Sequence, residues 1–481
     1  MIKGRLGNWI WRAVAISASV LALVLALRVL QSERLPDLGP WHTWAPQELD
    51  AGEIEAADWP TWMAAENALF AEVETHMREQ LDAGERLVAN RYFDGSPLHP
   101  ARFARDWNRS YQMLPQGEAR GAVVLLHGLS DSPYSLRHIA AVYIDNGFAA
   151  VGIRQPGHGT VPAGLTRVNW HDWRAATRLA VREARRLAGP GKPLHIVGYS
   201  NGGALAMQYT FDAIADPALE LPARVVLFSP MIGLTRFARY AGIAGWPAIL
   251  PRFSKSAWLE IVPEFNPFKY NSFPVNAARQ SYQLTQQLGQ QLASVAASGD
   301  LSRLPPVLAF QSAVDSTVLG DAVIEHLFSQ LPRNGSELVL FDVNRTAARE
   351  LLLSTATLGR IDLLVPREAQ DYRITVIGNA PGHEMVSESA RAAGVTQPVT
   401  RSLDMPYPPV FFSLSHVALP FPTSDSLYGT EPDAEDYGVH LGNQALRGEL
   451  GTLINGADVL VRASCNPFFP YVAARLDELI E

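Results

Sequence analysis

A single cysteine, Cys465, stands in a chain of 481 residues. That excludes an intrachain disulfide and any cysteine-rich zinc site, while leaving the redox compartment open. Beyond the N-terminus no run of Lys or Arg occurs, and the formal net charge is −8, which argues against a nucleic-acid partner. There is no internal repeat and no low-complexity tract. Hydrophobic residues make up 47% and charged residues 18%, ordinary globular usage that excludes a wholly disordered or collagen-like chain. The length allows about three domains at roughly 150 residues each, or one α/β domain with insertions.

What is present begins with Lys3, Arg5 and Arg12 ahead of an uncharged apolar run, Ala13 to Leu27. Trp9 to Leu30 is long enough to cross a bilayer if Arg12 and Arg28 reach the two interfaces, with Trp9 and Trp11 in an interfacial belt. A cleaved signal peptide is the competing reading, but no small-x-small site follows Arg28-Val29-Leu30-Gln31-Ser32-Glu33. We therefore expect residues 1–8 in the cytoplasm, a transmembrane anchor over 9–30, and the body on the extracytoplasmic side, since basic residues precede the span. Residues 31–120 read as a tether, an amphipathic helix and the first strands. Within them, Trp62, Leu69, Val73, Met77 and Leu81 recur at helical spacing, behind Asp58 as N-cap.

From residue 121 short unbroken apolar runs alternate with helical patterns. Strands are expected at Ala122–Leu126, Ala149–Ile153, Leu194–Val197, Arg224–Ser229, Pro306–Gln311 and Glu337–Val343. Helices are expected over Tyr134–Asn146, His171–Leu187 and from Gly203 to about Ala213. Such strands, divided by helices, indicate a mostly parallel sheet buried on both faces. Two stretches break the rhythm. Residues 231–303 carry Trp246, Trp258, Phe265 and Phe268 among prolines, and read as a helical cap insertion whose aromatics roof the site or fill the cap itself. Residues 345–409 read as a second insertion.

Gly198-Tyr199-Ser200-Asn201-Gly202 fits G-x-S-x-G, between a buried strand and a helix, so Ser200 would sit on a tight turn facing the helix N-terminus. The backbone amides of Leu129, after His127-Gly128, and of Asn201 are the candidate oxyanion donors. His127 and His158 read as loop-shaping residues. A serine hydroxyl needs a base, and the base an orienting carboxylate. Asp315 follows the strand Pro306–Gln311 and is the candidate acid, with Asp342 in reserve. His416, after the strand-like run Pro409–Leu414, is the candidate base; His383 is its rival, and His440 lies in a later glycine-containing loop.

The ordered set HGL, PGHG, GYSNGG, Asp315 and His416 resembles the α/β-hydrolase superfamily, most closely its serine aminopeptidase-like and monoacylglycerol lipase-like (lysophospholipase-like) branch. The likeness is close over Gly121–Ser229 and returns around Asp315 and His416. It departs from the family in the separation of acid and base, 416 − 315 = 101 residues. The resemblance implies an α/β-hydrolase fold over 121–481, a serine nucleophile, no metal and no cofactor. It implies hydrolysis of a small-molecule ester or lipid, esterase- or lipase-like. A peptidase or amidase, an acyltransferase and a non-catalytic binding module on the same fold are the alternatives.

Overall fold

The computed structural model describes residues 2–233, 245–315, 318, 320–346, 355–433, 435–442 and 461–480. Fourteen strands are found among them. In chain order they are β1 (Tyr111–Met113), β2 (Gly121–Leu126), β3 (Phe148–Ile153), β4 (Leu194–Tyr199), β5 (Arg224–Phe228), β6 (Trp258–Glu260) and β7 (Phe273–Pro274). They continue with β8 (Val307–Ser312), β9 (Glu337–Phe341), β10 (Arg373–Asn379), β11 (Met385–Arg391), β12 (Val399–Pro406), β13 (Phe411–Leu414) and β14 (Val461–Ala463). Ten of them form one sheet in the order β1-β3-β2-β4-β5-β8-β9-β10-β11-β12. The pairs from β3 through β10 are parallel, and antiparallel strands close both edges.

Alternation along each strand builds two cores. Val124, Val151, Ile196, Leu227 and Ala309 face one side, where α4 (Trp170–Ala188), α5 (Asn201–Ala215) and α6 (Val275–Ser298) pack. Val123, Ala150, Val197, Phe228 and Phe310 face the other, covered by α3 (Arg137–Asp145) and α7 (Phe469–Ile480). A sheet sandwiched this way buries every central strand on both faces, which is why the runs read as unbroken. This is the α/β-hydrolase architecture. Before it come α1 (Ile2–Ser32), an exposed apolar helix, and α2 (Trp59–Gln80), capped by Asp58 and turned inward through Trp62, Leu69 and Val73.

One expectation changes. Residues 345–409 do not stand apart from the sheet: β10, β11 and β12 extend it by three strands. Of the stretch 231–303, expected to form a helical cap, 234–244 lie outside the described residues. Its long helix, α6, packs against α5, and 245–274 holds two 3₁₀ turns and the small β6–β7 ladder. Pro247, Pro251, Pro263, Pro267 and Pro274 interrupt any longer helix there. Its aromatics divide: Trp258 and Phe268 are buried, and Trp246 is exposed.

Candidate active site

Ser200 sits where β4 turns into α5. Its backbone holds φ 54° and ψ −116°, a conformation a side-chain-bearing residue rarely adopts. The turn persists because its surroundings allow no relaxation. A Cβ on Gly202 would lie 1.9 Å from the Leu126 carbonyl oxygen, and one on Gly198 would lie 2.3 Å from that of Gly202. The Ser200 N–H donates to Phe228 O (2.9 Å), and the Met231 N–H donates to Ser200 O (2.9 Å). The hydroxyl is thus lifted to the carboxyl-terminal edge of the sheet.

The structure brings the three candidate side chains together. His416 Nε2 lies 3.0 Å from Ser200 Oγ, and His416 Nδ1 donates to Asp315 Oδ2 at 2.8 Å. A carboxylate only accepts, so the proton belongs on Nδ1 and Nε2 is free to accept the serine proton. Asp315 is fixed in turn: its Oδ1 accepts the Val318 N–H (3.0 Å), and its Oδ2 also accepts from Gln311 Nε2 (3.2 Å). All three side chains are buried, at 5%, 8% and 4% exposure for Ser200, His416 and Asp315. Such an arrangement can move a proton off a hydroxyl as it attacks a carbonyl.

The amides of Leu129 and Asn201 flank Ser200, and neither has a hydrogen-bond partner among the described residues. The side chain of Asn201 is occupied, accepting from Ser281 Oγ (2.8 Å). His127 bridges Gly128 O and the Gln155 N–H, and burial drives its pKa down to about 3. His158 bonds the Gln155 and Pro156 carbonyls. Both imidazoles fix loops. Asp342 is committed to Arg345 (2.6 Å), His383 is exposed, and the exposed His440 bonds Ser426 O. None of the three touches Ser200.

Motif reading missed the groups that hold the rim. Asp425 collects Tyr134, Arg137, His138 and two backbone amides, pinning the segment after His416 to the start of α3. Arg154 is clamped between Glu48 and Glu66, tying α2 to the 154–160 loop. Asp131, two residues past Leu129, is buried, and burial raises its carboxyl to about 6. These pairings join residues up to 291 apart, and no local pattern announces them. A cavity of about 230 Å³ between α2 and Arg91–Phe93 contains none of Ser200, Asp315 or His416.

Residues 117–343 match the family model described as serine aminopeptidase, S33. A thermostable monoacylglycerol lipase from Bacillus sp. (strain H-257) is 26% identical over 166 residues, 34% of this chain and 62% of that enzyme. Similar solved structures include metagenome-derived lipolytic enzymes (21% identity, 49% of this chain and 87% of that one, TM-score 0.38). A soluble variant of monoglyceride lipase from Saccharomyces cerevisiae is 16% identical, with 48% and 82% covered and TM-score 0.38. With the elbow and the sheet order, these matches support the α/β-hydrolase fold and a likeness to the serine aminopeptidase-like and monoacylglycerol lipase-like branch of that superfamily.

Proposed function

We propose that this chain is a membrane-anchored serine hydrolase that cleaves carboxylic esters, lipid or acylglycerol-like in kind. The observation that carries the reading is the unbroken hydrogen-bonded relay from Ser200 Oγ through His416 to Asp315. Ser200 attacks the acyl carbonyl while His416 Nε2 takes its proton, and Asp315 steadies the imidazolium. The amides of Leu129 and Asn201 receive the oxyanion at the amino end of α5, where the helix dipole adds to their effect. His416 then gives its proton to the leaving alkoxide, and water, deprotonated by the same imidazole, releases the acid. No step calls on a metal or cofactor.

The anchor is α1, whose Trp11–Ser32 stretch is long and apolar enough to span a bilayer; with Lys3 and Arg5 before that stretch and Arg12 at its start, the body lies outside the cytoplasm. Ester chemistry is favoured by the lipase named among the relatives, and the family description keeps a peptidase or amidase as the second reading. Fluorophosphonate labelling of the full chain tests the nucleophile: Ser200→Ala should label no longer while staying folded. Continued labelling of the alanine variant sinks the assignment. Parallel assays on p-nitrophenyl esters and aminoacyl anilides separate the two substrate classes.

A further inference from the structure

The amino-terminal helix does not trail loosely from the body. Its last turns are bonded into residues 245–259. Ser32 Oγ lies 2.8 Å from Ser256 Oγ, and Arg28 donates to the Trp258 carbonyl. Lys255 Nζ reaches back to Leu35 O (3.0 Å) and to Asp37 (2.8 Å). Arg28 and Ser32, the polar residues that end the apolar run, are both buried in this joint. Twenty-two residues, Trp11 to Ser32, rise about 33 Å at ~1.5 Å each, the thickness of a hydrocarbon core. The joint therefore stands at the level where such a span emerges from the lipid.

From that level the same stretch projects large apolar side chains into solvent. Trp246, Ile249 and Leu250 are 52%, 81% and 58% exposed, on a 3₁₀ turn stiffened by Pro247 and Pro251. Arg252 is exposed beside them. Leu27 and Leu30, on the turns of α1 that meet this stretch, are exposed too, so the helix and the body both carry exposed apolar side chains at the joint. Tryptophan and aliphatic side chains with a neighbouring cation match the interfacial layer of a bilayer, where headgroups meet the first acyl carbons.

We propose that Trp246, Ile249 and Leu250 form a second membrane contact, seated in the bilayer interface beside the point where α1 emerges. The proposal rests on reading α1 as a span. It also bears on substrate access: the chain runs on from this contact to Tyr270, whose N–H donates to Ser130 O (2.7 Å), one residue past the Leu129 amide. Residues 251–270 thus join the lipid-facing turn to the oxyanion loop.

The test uses the full chain in phosphatidylcholine–phosphatidylglycerol nanodiscs. A polarity-sensitive dye is attached at Ile249→Cys, at Ser19→Cys within the span, and at Val399→Cys on the exposed edge strand. Quenching is then read with lipids carrying a nitroxide near the headgroup or deep in the chain. We expect the dye at 249 to be blue-shifted and quenched by the shallow nitroxide, at 19 by the deep one, and at 399 by neither. Quenching at 19 but not at 249 overturns the second contact while sparing the anchor. A blue shift at 249 without lipid quenching overturns it in favour of protein cover. No quenching at either 19 or 249 removes the anchor itself, and the second contact with it.

Discussion

Replacing Asp315 by Asn tests the relay with the smallest change of shape. In the native site Oδ1 accepts the Val318 N–H, and Oδ2 accepts from both His416 Nδ1 and Gln311 Nε2. An asparagine keeping its oxygen on Val318 turns an NH₂ toward His416. Gln311 Nε2 is held by the Val318 carbonyl (3.0 Å) and loses its acceptor on residue 315, so one buried hydrogen bond is given up. The imidazole then accepts at Nδ1 and carries its proton on Nε2, facing Ser200 with a donor where an acceptor is needed. Serine hydrolases with the wrong tautomer lose about 10⁴ in turnover, roughly 5.4 kcal/mol at about 1.36 kcal/mol per decade. We therefore expect Asp315→Asn to lower kcat for a p-nitrophenyl ester by about four decades while the protein stays folded. The lost hydrogen bond costs about 1 kcal/mol, and no cavity opens because the two side chains have nearly the same shape. A loss below tenfold would refute the reasoning, because Asp315 would then not set the tautomer of His416.

Gly202→Ala should destabilise the fold by more than about 4 kcal/mol, read as a fall in the denaturant midpoint, since its Cβ would meet the Leu126 oxygen at 1.9 Å. Acid should destabilise the chain through its buried imidazoles. Burial lowers His127 and His195 to about 3 and His42 to about 4, so between those values and about 6.5 the unfolded state binds protons that the native state does not. Stability is thus intact above about pH 6.5 and falls as pH drops, by about 1.4 kcal/mol per pH unit for each such histidine; a denaturation series from pH 7 to 5 checks the slope. A carboxyl-terminal alkaline-phosphatase fusion should be active in a bacterial host, and an inactive fusion of a well-expressed chain would reverse the orientation of α1.

Much of the sheet is legible because its central strands face apolar neighbours on both sides. Ala122–Leu126, Leu194–Val197 and Pro306–Gln311 need no partner to be recognised, and each falls within a residue or two of β2, β4 and β8. The edge is not legible. β11 reads Met-Val-Ser-Glu-Ser-Ala-Arg, and β12 is largely exposed, so neither carries the apolar run that marks a central strand. Their strand character comes from pairing with β10, a long-range fact that a local window does not contain. The 245–274 stretch misleads for the opposite reason. Its aromatics suggest a helical core, but its prolines govern the backbone.

The choice of His416 over His383 rests on Pro409–Leu414 being a strand of the sheet, and that premise does not hold. Among the described residues β13 pairs with β14 alone, in a separate ladder. What the structure puts in its place is a topological reason. His383 lies on the turn between β10 and β11, four strand spacings from β4, about 19 Å at ~4.8 Å each. No choice of rotamer brings an imidazole across that distance to Ser200. β13 instead returns across the carboxyl ends of β8 and β9, held by Ser312 Oγ to Leu414 O (2.9 Å) and by the Asn344 N–H to Phe412 O (2.7 Å). That return sets His416 beside Asp315. The 101 residues between acid and base are therefore a detour: the chain leaves β8, adds β9 to the sheet, builds three further strands outward, and comes back over their ends. The spacing that departs from the family pattern measures the added sheet edge and leaves the acid and the base in contact.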